Sequence, residues 1–101
     1  MSPLEALLAV EGYIAQQADE ALEVLLSDKP LPERLAEAHS HFQLVTADEK
    51  FFLDSAPENV RDAIRTFVLL DVEKNTAEAA RACKDAIAAV LEERGRTSSN
   101  V

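Results

Sequence analysis

Apolar residues recur along the first quarter of the chain with the spacing of one face of an α-helix. At about 100° per residue, the apolar positions on this face over residues 3–27 are Leu4, Leu7, Leu8, Ile14, Ala15, Ala18, Ala21, Leu22 and Leu25. The segment SDKPLP, residues 27–32, then ends the pattern, because its two prolines cannot continue a helix. The pattern therefore predicts a first amphipathic helix over about 3–27.

A second apolar stripe follows the prolines. Its members at helical spacing are Leu31, Leu35, Ala38, Phe42 and Val45, which predicts a helix over about 32–45. Continuing that register would place Glu49 at the centre of the stripe, so a short separate helix near 47–54 is one interpretation. A single bent helix over 32–54 is the other, and the pattern does not separate them.

Two more helical patterns occupy the rest of the chain. Residues 56–73 place Val60, Ile64, Phe67 and Val68 on one face, while Leu69, Leu70 and Val72 spread apolar surface around the others. Residues 76–94 place Ala79, Ala80, Cys83, Ala86, Ile87, Val90 and Leu91 on one face, and the small residues permit close helix packing. A helix that is apolar on several sides, as predicted for 63–72, is central in its bundle or contacts another subunit.

Capping signals support these boundaries. Ser2, Thr46, Ser55 and Asn75 are each followed three residues later by Glu, which is the spacing of the capping box at a helix start. Gly95 follows the last periodic residue, as expected of a helix stop. We therefore predict an all-α fold, an antiparallel bundle of four main helices with one short helix. Residues 1–95 form the single domain and residues 96–101 a frayed tail.

Composition narrows the range of partners. The chain has 101 residues and a net charge of −9, and residues 1–60 carry 12 acidic and 3 basic side chains. Such a balance disfavours binding to nucleic acid or to anionic membranes. The N-terminus lacks the basic region of a secretory signal, and no apolar run approaches the roughly 20 residues of a membrane span. We expect a cytoplasmic protein.

The two histidines are the first candidates for chemistry. His39 and His41 are two positions apart, so on a helix they point about 200° apart around the axis and cannot hold one metal ion. Each lies about 80° from the centre of the second stripe, one on either flank. We therefore expect both to be structural histidines at the edge of the core, with no metal site.

AHSHFQ, residues 38–43, loosely resembles the acceptor segment of histidine phosphotransfer domains, which are helical bundles with an exposed histidine. The resemblance implies His39 or His41 as a phosphoacceptor. In that family a lysine and a glycine typically follow the histidine at +3 and +4. Here Phe42 and Gln43 follow His39, and Leu44 and Val45 follow His41, so shared descent would imply a degenerate domain that has lost phosphotransfer.

No other constellation points to catalysis. Cys83 lies at the centre of an apolar stripe, where a thiol is buried and unreactive. A di-iron bundle needs two Glu-x-x-His motifs, and a phosphate-binding loop needs several glycines, whereas the chain has neither. We therefore expect no enzyme activity and no cofactor.

What remains is a surface for another protein. We predict a regulatory interaction module, of the antiactivator, adaptor or chaperone type, that binds a protein partner such as a transcription or signalling factor and is itself a homodimer. The contact would be an apolar helical surface rimmed by acidic residues. Its predicted members are Leu7, Glu11, Ile14, Phe67, Leu69 and Leu70.

Overall fold

The computed structural model of the chain describes the backbone of residues 10–98 and the side chains of residues 12–95. A π-helical turn, Val10–Ile14, leads into helix α1, Ala15–Leu25. The later helices are α2, Leu31–Ala47; α3, Glu49–Ser55; α4, Glu58–Val68; and α5, Thr76–Ser98. The predicted all-α helical bundle is confirmed.

Contacts between α1 and α2 show that these helices are antiparallel. Gln17 on α1 meets His41 near the end of α2, and the carbonyl of Leu25, at the end of α1, meets Arg34 near the start of α2. The connection between the helices is residues 26–30. A connection this short normally joins antiparallel neighbours, because the chain has no room to cross the bundle.

The remaining helices continue the same alternation. Phe67 on α4 packs against Phe42 on α2, and the following carbonyl, of Val68, meets His39, so the end of α4 packs against α2. Asp19 on α1 forms an ion pair with Arg94 near the end of α5, whereas Leu25 at the end of α1 lines one depression with Ile87, earlier in α5, so the two helices are antiparallel. The short connection 69–75 makes α4 and α5 antiparallel as well, so the four long helices alternate in direction, and α3 connects α2 to α4.

The core contains a buried position from every helix. Its apolar members are Ile14, Ala15, Ala18, Ala21, Leu35, Ala38, Phe42, Val45, Phe52, Ala56, Val60, Ile64, Phe67, Ala79, Ala82, Cys83, Ala86, Ile87 and Val90. Phe42 and Phe67 meet edge to face near its centre, with ring centroids 5.7 Å apart. This arrangement stabilises an aromatic pair beyond the burial of its surface.

Residues 32–54 form two helices, which settles the choice that the pattern left open. The break is at Asp48, whose Oδ1 accepts a hydrogen bond from the backbone N–H of Phe51 at 3.1 Å and so caps α3. Thr46, the predicted cap, instead donates to carbonyls of the preceding turn at Phe42 and Gln43. The capping signal therefore marked the correct boundary but the wrong residue.

The predicted helix over 56–73 is shorter in the structure and ends at Val68. Leu69 and Leu70 still donate backbone hydrogen bonds to the last turn, but Asp71 then forms a local turn. Its Oδ1 accepts from the backbone N–H groups of Glu73 and Lys74. A side chain that binds the nearby backbone competes with helix continuation, which explains why the apolar positions after Val68 lie outside the helix.

The two chain ends also differ from the predicted bounds. Helix α5 continues through Gly95 to Ser98, so Gly95 is not a helix stop and residues 96–98 do not form a frayed tail. Residues 3–9 of the first predicted helix and residues 99–101 of the tail lie outside the described residues. At the start of α4 the cap residue is Pro57, and Ser55 is buried instead of capping.

Gly95→Ala should stabilise the protein by up to about 1 kcal/mol, because glycine within a helix is entropically unfavourable. A Cβ at this position would meet nothing within 4 Å. Urea denaturation measures the change. A loss of stability would contradict the continuous helix, because alanine is strained only where glycine ends a helix in the left-handed region.

Phe42→Ala should lower the free energy of unfolding by about 3–5 kcal/mol, through lost burial and the cavity that remains. Leu44→Ala on the same helix is the control, because Leu44 is 54% exposed and its truncation should change stability by less than about 0.5 kcal/mol. Equal effects of the two substitutions would contradict the assigned core face of α2.

Candidate functional site

His39 is a structural histidine that connects α2 to the end of α4. Its Nε2 lies 2.8 Å from the carbonyl oxygen of Val68, the last residue of α4. A carbonyl only accepts, so the Nε2–H of the ring is the donor. The ring also packs edge to face on Phe67, at 5.3 Å between centroids. His39 therefore satisfies a carbonyl that the helix end leaves without a partner.

His41 lies on the other flank of α2 and faces α1. Its Nδ1 is 2.9 Å from Oε1 of Gln17, a buried amide, and 3.3 Å from Oε2 of Glu20. Both partners are acceptors, so Nδ1 carries the proton. The two histidines thus hold α2 to different neighbours, in the divergent orientation that helical geometry predicts.

These contacts bear on the predicted phosphoacceptors. The Nε2 of His39 is already a hydrogen-bond donor to Val68, and both rings are only partly exposed. Glu20 also places a carboxylate beside His41, where a phosphoryl group would meet like charge. The arrangement therefore gives phosphotransfer no support, and that alternative stays a prediction.

Cys83 is buried in the core, as its position in the apolar stripe predicts. Burial raises the pKa of the Cys83 thiol to about 12. The thiolate is the reactive form, so the folded protein keeps this group neutral and unreactive.

The predicted partner-binding residues do not form one surface. Ile14 and Phe67 are fully buried, so the expectation that they contact a partner is wrong for both. Leu69 is 83% exposed, and Leu70 is half-buried beside it. Leu7 and the side chain of Glu11 lie outside the described part of the chain.

Leu70 lines a cleft between α4 and α5, which we call the acidic cleft. Its volume is about 460 Å³, and its lining consists of Asn59, Asp62, Ala63, Thr66, Leu70, Glu78, Arg81, Ala82 and Asp85. The charged groups of this lining are three carboxylates and one guanidinium. Only one large aliphatic side chain contributes, so this cleft offers little apolar area to a partner.

A second depression, which we call the apolar groove, lies between α1, the start of α2 and the outer face of α5. Its volume is about 410 Å³, and its lining consists of Leu22, Leu25, Leu26, Leu31, Arg34, Ala80, Lys84, Ile87, Ala88 and Leu91. Ile87 is buried, whereas Leu26 is 76% exposed at the edge. The groove is thus an open concave surface with six large aliphatic side chains.

The groove exists because α1 is shorter than α5. Asp19 is paired with Arg94, and the two helices are antiparallel. At the same rise per residue, Leu25 at the end of α1 lies beside about residue 88 of α5. Earlier residues of α5, from Ala80 to Lys84, therefore extend past the end of α1 and are covered there only in part by the chain between α1 and α2.

Arg34 fixes this end of the groove. Its Nη1 donates to the carbonyl of Leu25, and its Nε donates to the carbonyl of Lys29, each at 2.7 Å. The guanidinium thereby holds the chain between α1 and α2 against the start of α2. Lys84, on the opposite wall, is exposed and makes no hydrogen bond or ion pair with any described residue.

Sequence reasoning missed the groove. Leu26, Leu31 and Leu91 are its exposed large residues. A signal was available in Leu26, which lies at the same helical angle as Leu8 and so continues the stripe of the first helix up to the segment 27–32 that ends it. That Leu26 meets the face of α5 depends on helix lengths and register, which the local pattern does not contain.

Comparisons with protein-family models, with curated proteins and with solved structures find no match for this chain. Within residues 10–98, no helix combines the length and the apolar character needed to cross a membrane. The same part of the chain holds no group of three or more His, Cys, Asp or Glu side chains arranged to bind a metal ion.

His39→Phe should lower the free energy of unfolding by about 1–3 kcal/mol, because it keeps an aromatic ring on Phe67 but leaves the carbonyl of Val68 without its donor. In the wild type, ¹⁵N NMR at alkaline pH should show His39 protonated at Nε2 and His41 at Nδ1. The same tautomer for both rings would contradict the assigned contacts.

The Cys83 thiol should make stability fall as pH rises from about 9 to about 12. The unfolded thiol ionises near 9 and the folded thiol near 12, so between these values the unfolded state binds fewer protons and is favoured. The measurement is the free energy of unfolding against pH for the wild type and Cys83→Ala. An identical slope in both proteins would contradict the burial of the thiol.

Proposed function

We propose that this chain is a non-enzymatic interaction module, which binds a protein partner through the apolar groove. The observation that carries the proposal is the groove itself: large aliphatic side chains from three helices line one open depression, and Leu26 remains 76% exposed. An apolar depression with a polar edge is the usual form of a helix-binding groove.

The role of such a module is regulatory, as an antiactivator, adaptor or chaperone. Binding residues from different helices stay at fixed distances, because the core and the contacts of Arg34 hold α1, α2 and α5 together. A preformed groove reduces the entropy lost on association. The proposed contact surface excludes Ile14 and Phe67, because both residues are buried in the core.

A photo-crosslinking amino acid in place of Leu26 tests the proposal in the source cells. It should give a covalent adduct with a specific protein, identified by mass spectrometry. The same replacement at Leu44, an exposed residue of α2 outside the groove lining, is the matched control. Equal adducts from the two positions would contradict binding in the groove.

With the identified partner purified, Leu26→Ser and Leu91→Ser should each weaken the affinity about tenfold or more. Leu44→Ser should leave the Kd within about twofold. Titration calorimetry gives the Kd values, and thermal unfolding checks that the variants are folded. Unchanged affinity for both groove variants would refute the proposal.

Self-association is a second candidate, favoured by the exposure of Leu69. This side chain is 83% exposed at the end of α4, where contact with a second copy would remove it from water. Light scattering at increasing concentration should then detect a homodimer, and Leu69→Lys should weaken it. A monomer at high concentration would remove this candidate and leave the groove proposal intact.

A further inference from the structure

The charged side chains that line the apolar groove are both basic. They are Arg34 and Lys84, whereas the chain as a whole has 19 acidic and 10 basic residues. Acidic residues thus outnumber basic ones almost two to one, yet none contributes to the groove lining. The nearby acidic cleft, with three carboxylates and one guanidinium, has the opposite balance. The groove therefore combines apolar contact with local positive charge on an acidic protein.

Lys84 is placed to reach an occupant of the groove. Ala80 and Ala88 lie one turn away on either side along the same face of α5, and both are small. An approaching backbone can therefore come close to α5 on both sides of the lysine stem. Lys84 has no carboxylate partner among the described residues, so its ammonium is available for an ion pair.

Arg34 alters the electrostatics at the end of the groove. The last carbonyls of a helix carry partial negative charge, and α1 ends there at Leu25. Arg34 donates to the carbonyl of Leu25 and to that of Lys29, which offsets this charge. A carboxylate on the occupant is consequently not repelled by the end of α1.

The groove extends along α5 from Ala80 to Leu91. At the rise of an α-helix this span is about 16 Å, which corresponds to about three turns of a second helix. Three turns present large apolar side chains at i, i+3 or i+4, and i+7 on one face. Such a face would contact the leucines that line the groove.

We infer that the occupant is an amphipathic helix of a partner protein, with large aliphatic residues on one face and an aspartate or glutamate beside Lys84. The inference rests on the proposed function and adds the chemical class of the partner. A second copy docked groove to groove is disfavoured, because Arg34 and Lys84 of the two copies would face each other.

Selection from a displayed library of 15-residue peptides tests the inference. The peptides carry leucine at i, i+3 and i+7 and random residues elsewhere, and the bait is the full 101-residue chain. Selected peptides should be enriched in Asp and Glu over Lys and Arg next to the leucine face. Fluorescence anisotropy then gives the Kd of one selected peptide for each variant.

Lys84→Glu should weaken that peptide about tenfold, and Lys50→Glu, which makes the same charge change outside the groove lining on α3, should change its Kd less than about twofold. A peptide with its acidic residue replaced by lysine should bind Lys84→Glu more tightly than it binds the wild type. Binding of the acidic peptide should also weaken as salt increases.

The other outcomes distinguish the inferred acidic residue of the occupant from the proposed function of the groove. Peptides without acidic enrichment that still lose affinity on Leu26→Ser would overturn the charge inference and leave the proposed function standing. Selected peptides that are insensitive to Leu26→Ser, or a library that yields no binder, would overturn both. A homodimer seen by light scattering that dissociates when the selected peptide is added would identify a second copy as the occupant and overturn the inference.

Discussion

Phe42 and Phe67 pack edge to face between α2 and α4, and this buried aromatic pair joins the first half of the chain to the second. Both rings are fully buried, so neither can move without opening the core. Their position brings His39, nearly one turn before Phe42, against the end of α4. The exposed Leu69 is the next residue in the chain after the end of α4.

The two histidines illustrate how a residue with catalytic potential can serve the fold. Each imidazole gives one N–H to an acceptor on a neighbouring helix, a carbonyl for His39 and the Gln17 amide for His41. These hydrogen bonds replace the hydrogen bonds to water that the polar groups lose when they become partly buried. Because they point to opposite flanks of α2, the rings do not converge on a common substrate position.

The apolar groove has a different origin, in a mismatch of helix lengths. In the register of α1 and α5, in which Asp19 lies beside Arg94, part of α5 extends beyond the end of α1, and Arg34 holds the intervening chain beside it. Apolar residues that a longer α1 would have covered stay accessible. The distribution of charge then distinguishes this surface from the acidic cleft, although both are bounded by α5.

The sequence by itself determined the fold class, most of the core face of the four long helices, the burial of Cys83 and the divergence of the histidines. These properties depend on a helical period that is present in any stretch of 10 to 20 residues. Helix ends were less predictable. Asp48, and not the predicted Thr46, caps α3. Asp71 accepts from the backbone N–H of Glu73, which a helix continued to residue 73 would have paired with the carbonyl of Leu69. Only the tertiary structure decided which apolar residues remain exposed. Phe67 and Leu69 are both apolar and two positions apart. Phe67 meets Phe42 across the bundle, whereas no helix within residues 10–98 covers Leu69. Their exposure differs because it depends on neighbours that are distant in the chain.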